Sequence, residues 1–190
     1  MKRFSTLRPS KSTGELDKEK DDVKFKDDNL KIVDYDNWSI ISEKDCVFCV
    51  IYLIDLNKFM IRQEYVPTFK YVDGQDLHLS LIGGQIEMGE TPETALIREV
   101  EEEAGIVIRQ GFSIEFLKPL FVSKGNTSKF YFSIIQLTES DYHEVVIKPK
   151  SKAEKLSQTA KIDVKYLKNL NPSDIPTEYM LNVFSKYINM

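Results

Sequence analysis

Several classes of protein are excluded by what this sequence has little of. The chain of 190 residues holds two cysteines, Cys46 and Cys49, and two histidines, His78 and His143. A Cys-x-x-Cys pair needs two further ligands at comparable spacing to hold zinc, and isolated histidines do not supply them. A redox pair would open a helix, whereas Cys-Val-Phe-Cys-Val-Ile-Tyr is β-branched and aromatic, so both thiols read as reduced and buried in a strand. No apolar run approaches the ~20 residues of a bilayer span. The basic start, Met-Lys-Arg, lacks a following apolar signal core, which gives the expectation of a cytoplasmic protein. With a net charge of −4, nothing advertises a nucleic-acid or membrane partner. No internal repeat is present.

What remains is an ordinary globular composition, 42% apolar and 29% charged, long enough for one domain with an appendage. Residues 1–22 are rich in Lys, Ser and Asp without a period and read as a flexible N-terminal tail. Residues 23–43 give three strand-like pieces separated by Asp and Asn turns, a small antiparallel subdomain ahead of a main domain over 44–190. Residues 46–54 form a continuous apolar run, as expected of a central strand covered on both faces. A turn at Asp55-Leu56-Asn57 leads to a hairpin partner, residues 58–62. A polar loop is expected around Asp73 and Gly74, and a strand over 77–82. Further strands are expected at 114–122, where Pro119 favours an edge or bulge, and at 130–137 and 162–167. Residues 176–188 read as a closing helix with a core-facing stripe. Strands, helix, strands, helix predict an α+β fold, an α/β/α sandwich on a mixed sheet.

The stretch at 84–106 organises the rest. Thr91 is a suitable N-cap, Pro92 fits the first helical position, and Gly105 sits where a left-handed terminating residue is wanted. Leu96, Val100 and Ala104, with Ile97 beside them, predict a core-facing side. Glu99, Glu102 and Glu103 fall on another side, where like charges repel and oppose the helix dipole by about 0.3–1 kcal/mol each. A hard divalent cation would make that face favourable, and a solvated acidic face is the alternative.

Gly84, Glu90, Arg98, Glu99, Val100, Glu102, Glu103, Gly105 and Ile106 hold fixed positions that resemble the signature of the Nudix hydrolases. The resemblance implies a loop–helix–loop that holds divalent metal, Mg²⁺ or Mn²⁺, against the diphosphate of a nucleoside diphosphate linked to another group. The metal ligands it implies are Glu99, Glu102, Glu103 and the backbone carbonyl of Gly83. Arg98 would orient a signature glutamate, with Glu90 as its structural counterpart. Flanking segments are most similar to the ADP-ribose pyrophosphatases: an N-terminal strand subdomain used in dimerisation, a segment like residues 61–67, and a loop like 123–128. These imply a homodimer that cleaves a nucleotide sugar, ADP-ribose, to AMP and ribose 5-phosphate. A dinucleoside polyphosphate, NADH or a nucleoside triphosphate is the alternative substrate, and a non-catalytic nucleotide-binding module the alternative role.

Substrate-binding candidates are Trp38, Arg62 and Glu64. Trp38, the only tryptophan, would stack adenine or instead plug the small sheet onto the main domain. Arg62 would bind phosphate through its fork of donors, or form a surface salt bridge with Glu64. Catalytic candidates are Arg98, Glu103 and, for the general base, Glu102 or Glu154. The chain departs from the family at Ile82-Gly83-Gly84 (usually Pro-Ala-Gly or Pro-Gly-Gly), at Ser80 or Leu81 where a glutamate is common, and at Lys124 and Lys129. It departs also at 148–161, where Glu154 is the one carboxylate among five lysines.

Overall fold

The computed structural model describes residues 22–27, 30–35, 37–109, 112 and 114–189. The expected tail over 1–22 therefore lies almost wholly outside the described residues. The chain divides into two compact units, one running to Glu43 and including Ser123–Thr127, the other formed by Lys44–Val122 and the chain from Ser128 onward.

In the first unit, β1 (Asp22–Lys26), β2 (Leu30–Tyr35) and β3 (Trp38–Glu43) form an antiparallel meander. Its second turn places Asn37 at a positive φ of 64°, a conformation that asparagine tolerates better than most residues. Ser123–Thr127 joins this unit through backbone hydrogen bonds, Ile41 N–H to Gly125 O and Thr127 N–H to Ile41 O.

The second unit is built on β4 (Cys46–Leu53), whose neighbours run in both directions. It pairs in parallel with β10 (Lys129–Leu137). On its other edge, the N-terminal half pairs antiparallel with β7 (Ile82–Gln85) and the C-terminal half with β5 (Lys58–Glu64). Beyond β5 lie β6 (His78–Ser80) and β12 (Gln158–Asp163), both antiparallel to it. A two-residue strand, β9 (Leu120–Phe121), edges β10. A separate ladder joins β8 (Ile106–Ile108) to β11 (Tyr142–Glu144).

Successive side chains on a strand point to opposite faces. Val47, Cys49, Ile51 and Leu53 of β4 pack with Ala95, Leu96 and Val100 of helix α2 (Pro92–Ala104). On the other face, Val50 packs with Phe59, Phe132 and with Met180, Leu181 and Phe184 of helix α4 (Ile175–Tyr187). The β4 run is uninterrupted because both faces are covered. The result is the expected mixed sheet between helices. Cys49 is buried as expected, Cys46 only partly so, and burial pushes the Cys49 thiol far above its ordinary range. Among the described residues, no helix is long and apolar enough to cross a membrane.

Several local expectations are corrected. Residues around Asp73 are not a loop but helix α1 (Pro67–Asp73), started by Pro67 and ended by Gly74 at a φ of 80°; too short to show a period, it buries no residue. The 77–82 strand is two strands, because β6 pairs with β5 and β7 with β4. The 114–122 strand is reduced to β9 and an isolated bridge at Phe116, around a proline that cannot donate to a ladder. The 162–167 strand lies earlier, as β12. Its register on β5 ends at Asp163 opposite Lys58, where β5 itself begins, and the chain then turns into a 3₁₀ segment, Val164–Asn169. A short helix missed in the charged stretch, α3 (Lys152–Leu156), begins at Ser151, whose hydroxyl accepts from Glu154 N–H. Ile97 is exposed, whereas Ala95 takes the inward position beside Leu96.

Leu96 is fully buried between α2 and β4. Leu96→Ala should cost about 2–5 kcal/mol by loss of burial and a residual cavity, read as a lower urea midpoint with an unchanged slope.

Candidate active site

Two glycines let β7 sit close to β4 on one side and to α2 on the other. Gly83 has a φ of 153°, and a Cβ there would stand 2.0 Å from Val47 O. A Cβ at Gly84 would meet Glu99 Oε1 at 2.4 Å. The missing side chain of Gly84 leaves the space into which the Glu99 carboxylate is pressed. Helix α2 has well-defined ends. Thr91 Oγ1 accepts from Thr94 N–H at 3.2 Å, and Thr94 Oγ1 accepts from Thr91 N–H at 2.9 Å, a reciprocal cap. Gly105, at a φ of 65°, donates to Glu101 O and Val100 O and closes the helix immediately after the glutamates.

Arg98 knits the surrounding loop to the helix. Its Nε and Nη2 donate to the two carboxylate oxygens of Glu90 at 2.8 and 3.0 Å. Nη1 donates to Glu99 Oε1 at 2.7 Å, and Nη2 also donates to Gln85 O at 3.0 Å. The bidentate guanidinium holds the Glu90 carboxyl down at about 2. Arg98 thus faces protein groups on several sides.

Glu99 is 9% exposed, and burial raises its carboxyl against the pull of Arg98. Glu103 is pushed up to about 8, again by burial, with Arg62 and the Gly83 N–H opposing the rise and Glu64 and Glu99 adding to it. The Gly83 N–H donates to Glu103 Oε2 at 2.9 Å. Arg62, carried by β5 between β6 and β12, is 4% exposed, with Nε at 3.2 Å from Glu103 Oε1. The surface salt bridge with Glu64 weighed for Arg62 is corrected: its ion-pair partner is Glu103, in the interior. The Nε contact falls outside hydrogen-bond geometry, so this buried donor stands without a hydrogen bond. Glu102 is shared between Lys150 Nζ and, at 3.5 Å, Arg98 Nη1.

The structure therefore brings Arg62, Gly83, Arg98, Glu99, Glu102 and Glu103 together. Glu64 ends β5 and acts on Glu103 through its charge. Glu154 lies on α3 with its Oε2 accepting the Lys150 backbone N–H at 2.5 Å, a bond that lowers its carboxyl. Trp38 belongs to the first unit, opposite Tyr35, and is 62% exposed. Two contributors escaped the sequence reading. Thr159 Oγ1 donates to Glu103 O at 2.6 Å, a contact set by β12 pairing with β5. Lys150 was one of several lysines in a charged run, and nothing in its spacing singled it out.

The donor chemistry fits a hard divalent cation: carboxylate oxygens on one helix face, two of them desolvated and held above their ordinary range. Among the described residues, no three His, Cys, Asp or Glu side chains converge as a ready-made metal cluster. Arg62 holds Glu103, Arg98 holds Glu99, and Lys150 shares Glu102 with Arg98.

This arrangement sits inside a matched domain. The NUDIX domain model matches residues 45–168, most of the chain. The chain belongs to the NUDIX family. Two curated relatives are 8-oxo-dGTP diphosphatases, one from Haemophilus influenzae (44% identical over 59 residues, 29% of this chain and 43% of the relative). The other is from Escherichia coli K12 (46% over 59 residues, 29% of this chain and 45% of the relative). The match thus spans under half the length of either relative. Among solved structures, an ADP compounds hydrolase superposes with a TM-score of 0.63 at 15% identity, covering 89% of this chain and 91% of that one. At that identity the likeness speaks for the shared NUDIX fold.

Burial of Glu103 sets a pH dependence. A carboxyl raised from 4.5 to about 8 in the folded state favours folding while protonated, fully below the unfolded value. That contribution is lost as pH rises through about 8. In EDTA, the urea midpoint should fall between pH 5 and pH 9, and Glu103→Gln should flatten the decline. A midpoint that falls equally in both proteins would contradict the assignment.

Proposed function

We propose that this NUDIX protein hydrolyses the diphosphate bond of a nucleoside diphosphate linked to another group, with ADP-ribose, giving AMP and ribose 5-phosphate, as the foremost substrate. The observation that carries the reading is the pair of desolvated carboxylates, Glu99 and Glu103, on one face of α2. Such a face is unfavourable for folding alone and suited to hard cations. Glu99, Glu102 and Glu103 would hold Mg²⁺ or Mn²⁺, with the Gly83 backbone beside them. When bound, the metal supplies charge neutralisation for a diphosphate and a more acidic water.

The chain's own residues do the rest. Arg98 orients Glu99 and fixes the loop through Glu90 and Gln85 O. Gly83 N–H and Arg62 hold Glu103 in place. Of the two proton acceptors considered, Glu102 is favoured. Glu154 is lowered by its bond to the Lys150 N–H, which weakens it as a base. Trp38, exposed on the first unit, offers a face for adenine, and that sheet is the proposed dimer contact. The choice of ADP-ribose rests on the flanking segments at 61–67 and 123–128 and on the N-terminal strands. The identity to 8-oxo-dGTP diphosphatases favours a second reading, a nucleoside triphosphate cleaved by the same machinery.

A panel of ADP-ribose, NADH, dinucleoside polyphosphates and nucleoside triphosphates, assayed with Mg²⁺ for released nucleoside monophosphate, separates these readings. ADP-ribose should give the highest kcat/KM. A preference for an oxidised purine triphosphate would replace it, and no turnover on any member would remove the enzyme reading. Glu103→Gln should lower turnover by roughly 10²-fold or more, given that even groups supporting a metal ligand cost 10–100-fold. Because a proton must leave Glu103, loading with Mg²⁺ should release protons at pH 7 and tighten as pH rises, which calorimetry in buffers of different ionisation heat will show. Trp38→Ala should raise KM for adenine substrates more than for those lacking the base.

A further inference from the structure

Three bases meet three glutamates at the end of α2, and they are not equivalent. Arg62 is buried on β5 and reaches Glu103 through both its side-chain oxygen and, at 3.5 Å, its backbone carbonyl. Arg98 is committed to Glu90, Glu99 and Gln85 O, and reaches Glu102 only at the 3.5 Å of its Nη1 contact. Lys150 stands apart. Its side chain is 68% exposed, and the one hydrogen-bond partner of its ammonium among the described residues is Glu102. Its backbone is nevertheless fixed, since Lys150 N–H donates to Glu154 Oε2 at 2.5 Å and Glu154 N–H is capped by Ser151 Oγ at 3.1 Å. A tethered backbone thus carries an exposed ammonium to the rim of the glutamate face.

We propose that Lys150 is a substrate-positioning residue with two stations: it holds Glu102 while the site is metal-free, then releases it to a divalent cation and moves onto a phosphate of the bound nucleotide. The physical reason is competition for one carboxylate. An exposed ammonium–carboxylate pair contributes little and is screened by salt, so Lys150 yields at lower cost than either arginine. Its flexible four-carbon stem and three rotatable donors then reach an anion placed over the same helix face. Glu154 takes a different part from the base weighed for it, because its carboxylate secures the lysine that meets the substrate. The inference rests on the metal-dependent diphosphate reading, but its tests do not use turnover.

Two titrations on the full chain decide it. Mn²⁺ binding by electron paramagnetic resonance, without nucleotide, should be about two- to fivefold tighter in Lys150→Ala, the range expected for removing an exposed ion pair. Binding of α,β-methylene-ADP in Mg²⁺, measured by calorimetry, should be weaker in the same variant by a similar factor and lose part of its salt dependence. Lys150→Arg should keep nucleotide binding near the wild-type value. Equal Mn²⁺ affinity in Lys150→Ala and wild type, or unchanged nucleotide affinity, would overturn the proposal and leave a surface ion pair. Both titrations behaving as expected while no substrate is hydrolysed would count against the catalytic reading alone.

Discussion

The close approach of α2 to β7 is the constraint on which the rest depends. It exists because Gly84 has no Cβ to fill the space taken by the Glu99 carboxylate, while the missing Cβ at Gly83 lets β7 lie close against β4 at Val47 O. Once the helix lies there, Glu99 and Glu103 lose water, and their charged forms become costly. The protein answers with fixed donors: Arg98 on Glu99, and Arg62 with the Gly83 N–H on Glu103. These partners reduce the cost without removing it, since both carboxyls remain above their ordinary range. Carboxylate oxygens desolvated by burial in this way are donors of the kind a hard divalent cation takes.

That arrangement places structural and functional demands on the same residues. Arg98 spans Glu90, Gln85 O and Glu99 and so couples the loop before α2 to the helix itself. Glu90 draws so much of the guanidinium's charge that its own carboxyl falls to about 2. It is a structural counter-ion in this geometry. Beneath them, Cys49 sits in the core beside the glutamates, and its thiol is held protonated by burial and by their charge. The strand carrying the Cys-x-x-Cys pair, read from its β-branched and aromatic residues as a buried strand, is part of the floor below the site.

Much of the fold was legible from residue type and spacing. The uninterrupted apolar run in β4 requires cover on both faces, and α2 and α4 provide it. Thr91, Pro92 and Gly105 mark the ends of α2 by local backbone chemistry alone. Where tertiary pairing decides, the reading slipped. β12 stops where β5 offers no further partner, and α1, seven residues without a buried side chain, carries no periodic signal. Ile97 and Ala95 exchanged places because spacing gives a helical face to within about one residue, while contact with β4 chooses the residue.

The glutamate face itself was fixed by the sequence, because residues three and four apart on one helix are neighbours wherever that helix goes. The partners of those glutamates were not. Arg62, Gly83, Thr159 and Lys150 stand 41, 20, 56 and 48 residues from the glutamates they meet. Only strand pairing of β5 with β12, of β7 with β4, and the turn into α3 bring them there. Local chemistry set which groups want a cation; long-range pairing decided which cations the protein itself supplies.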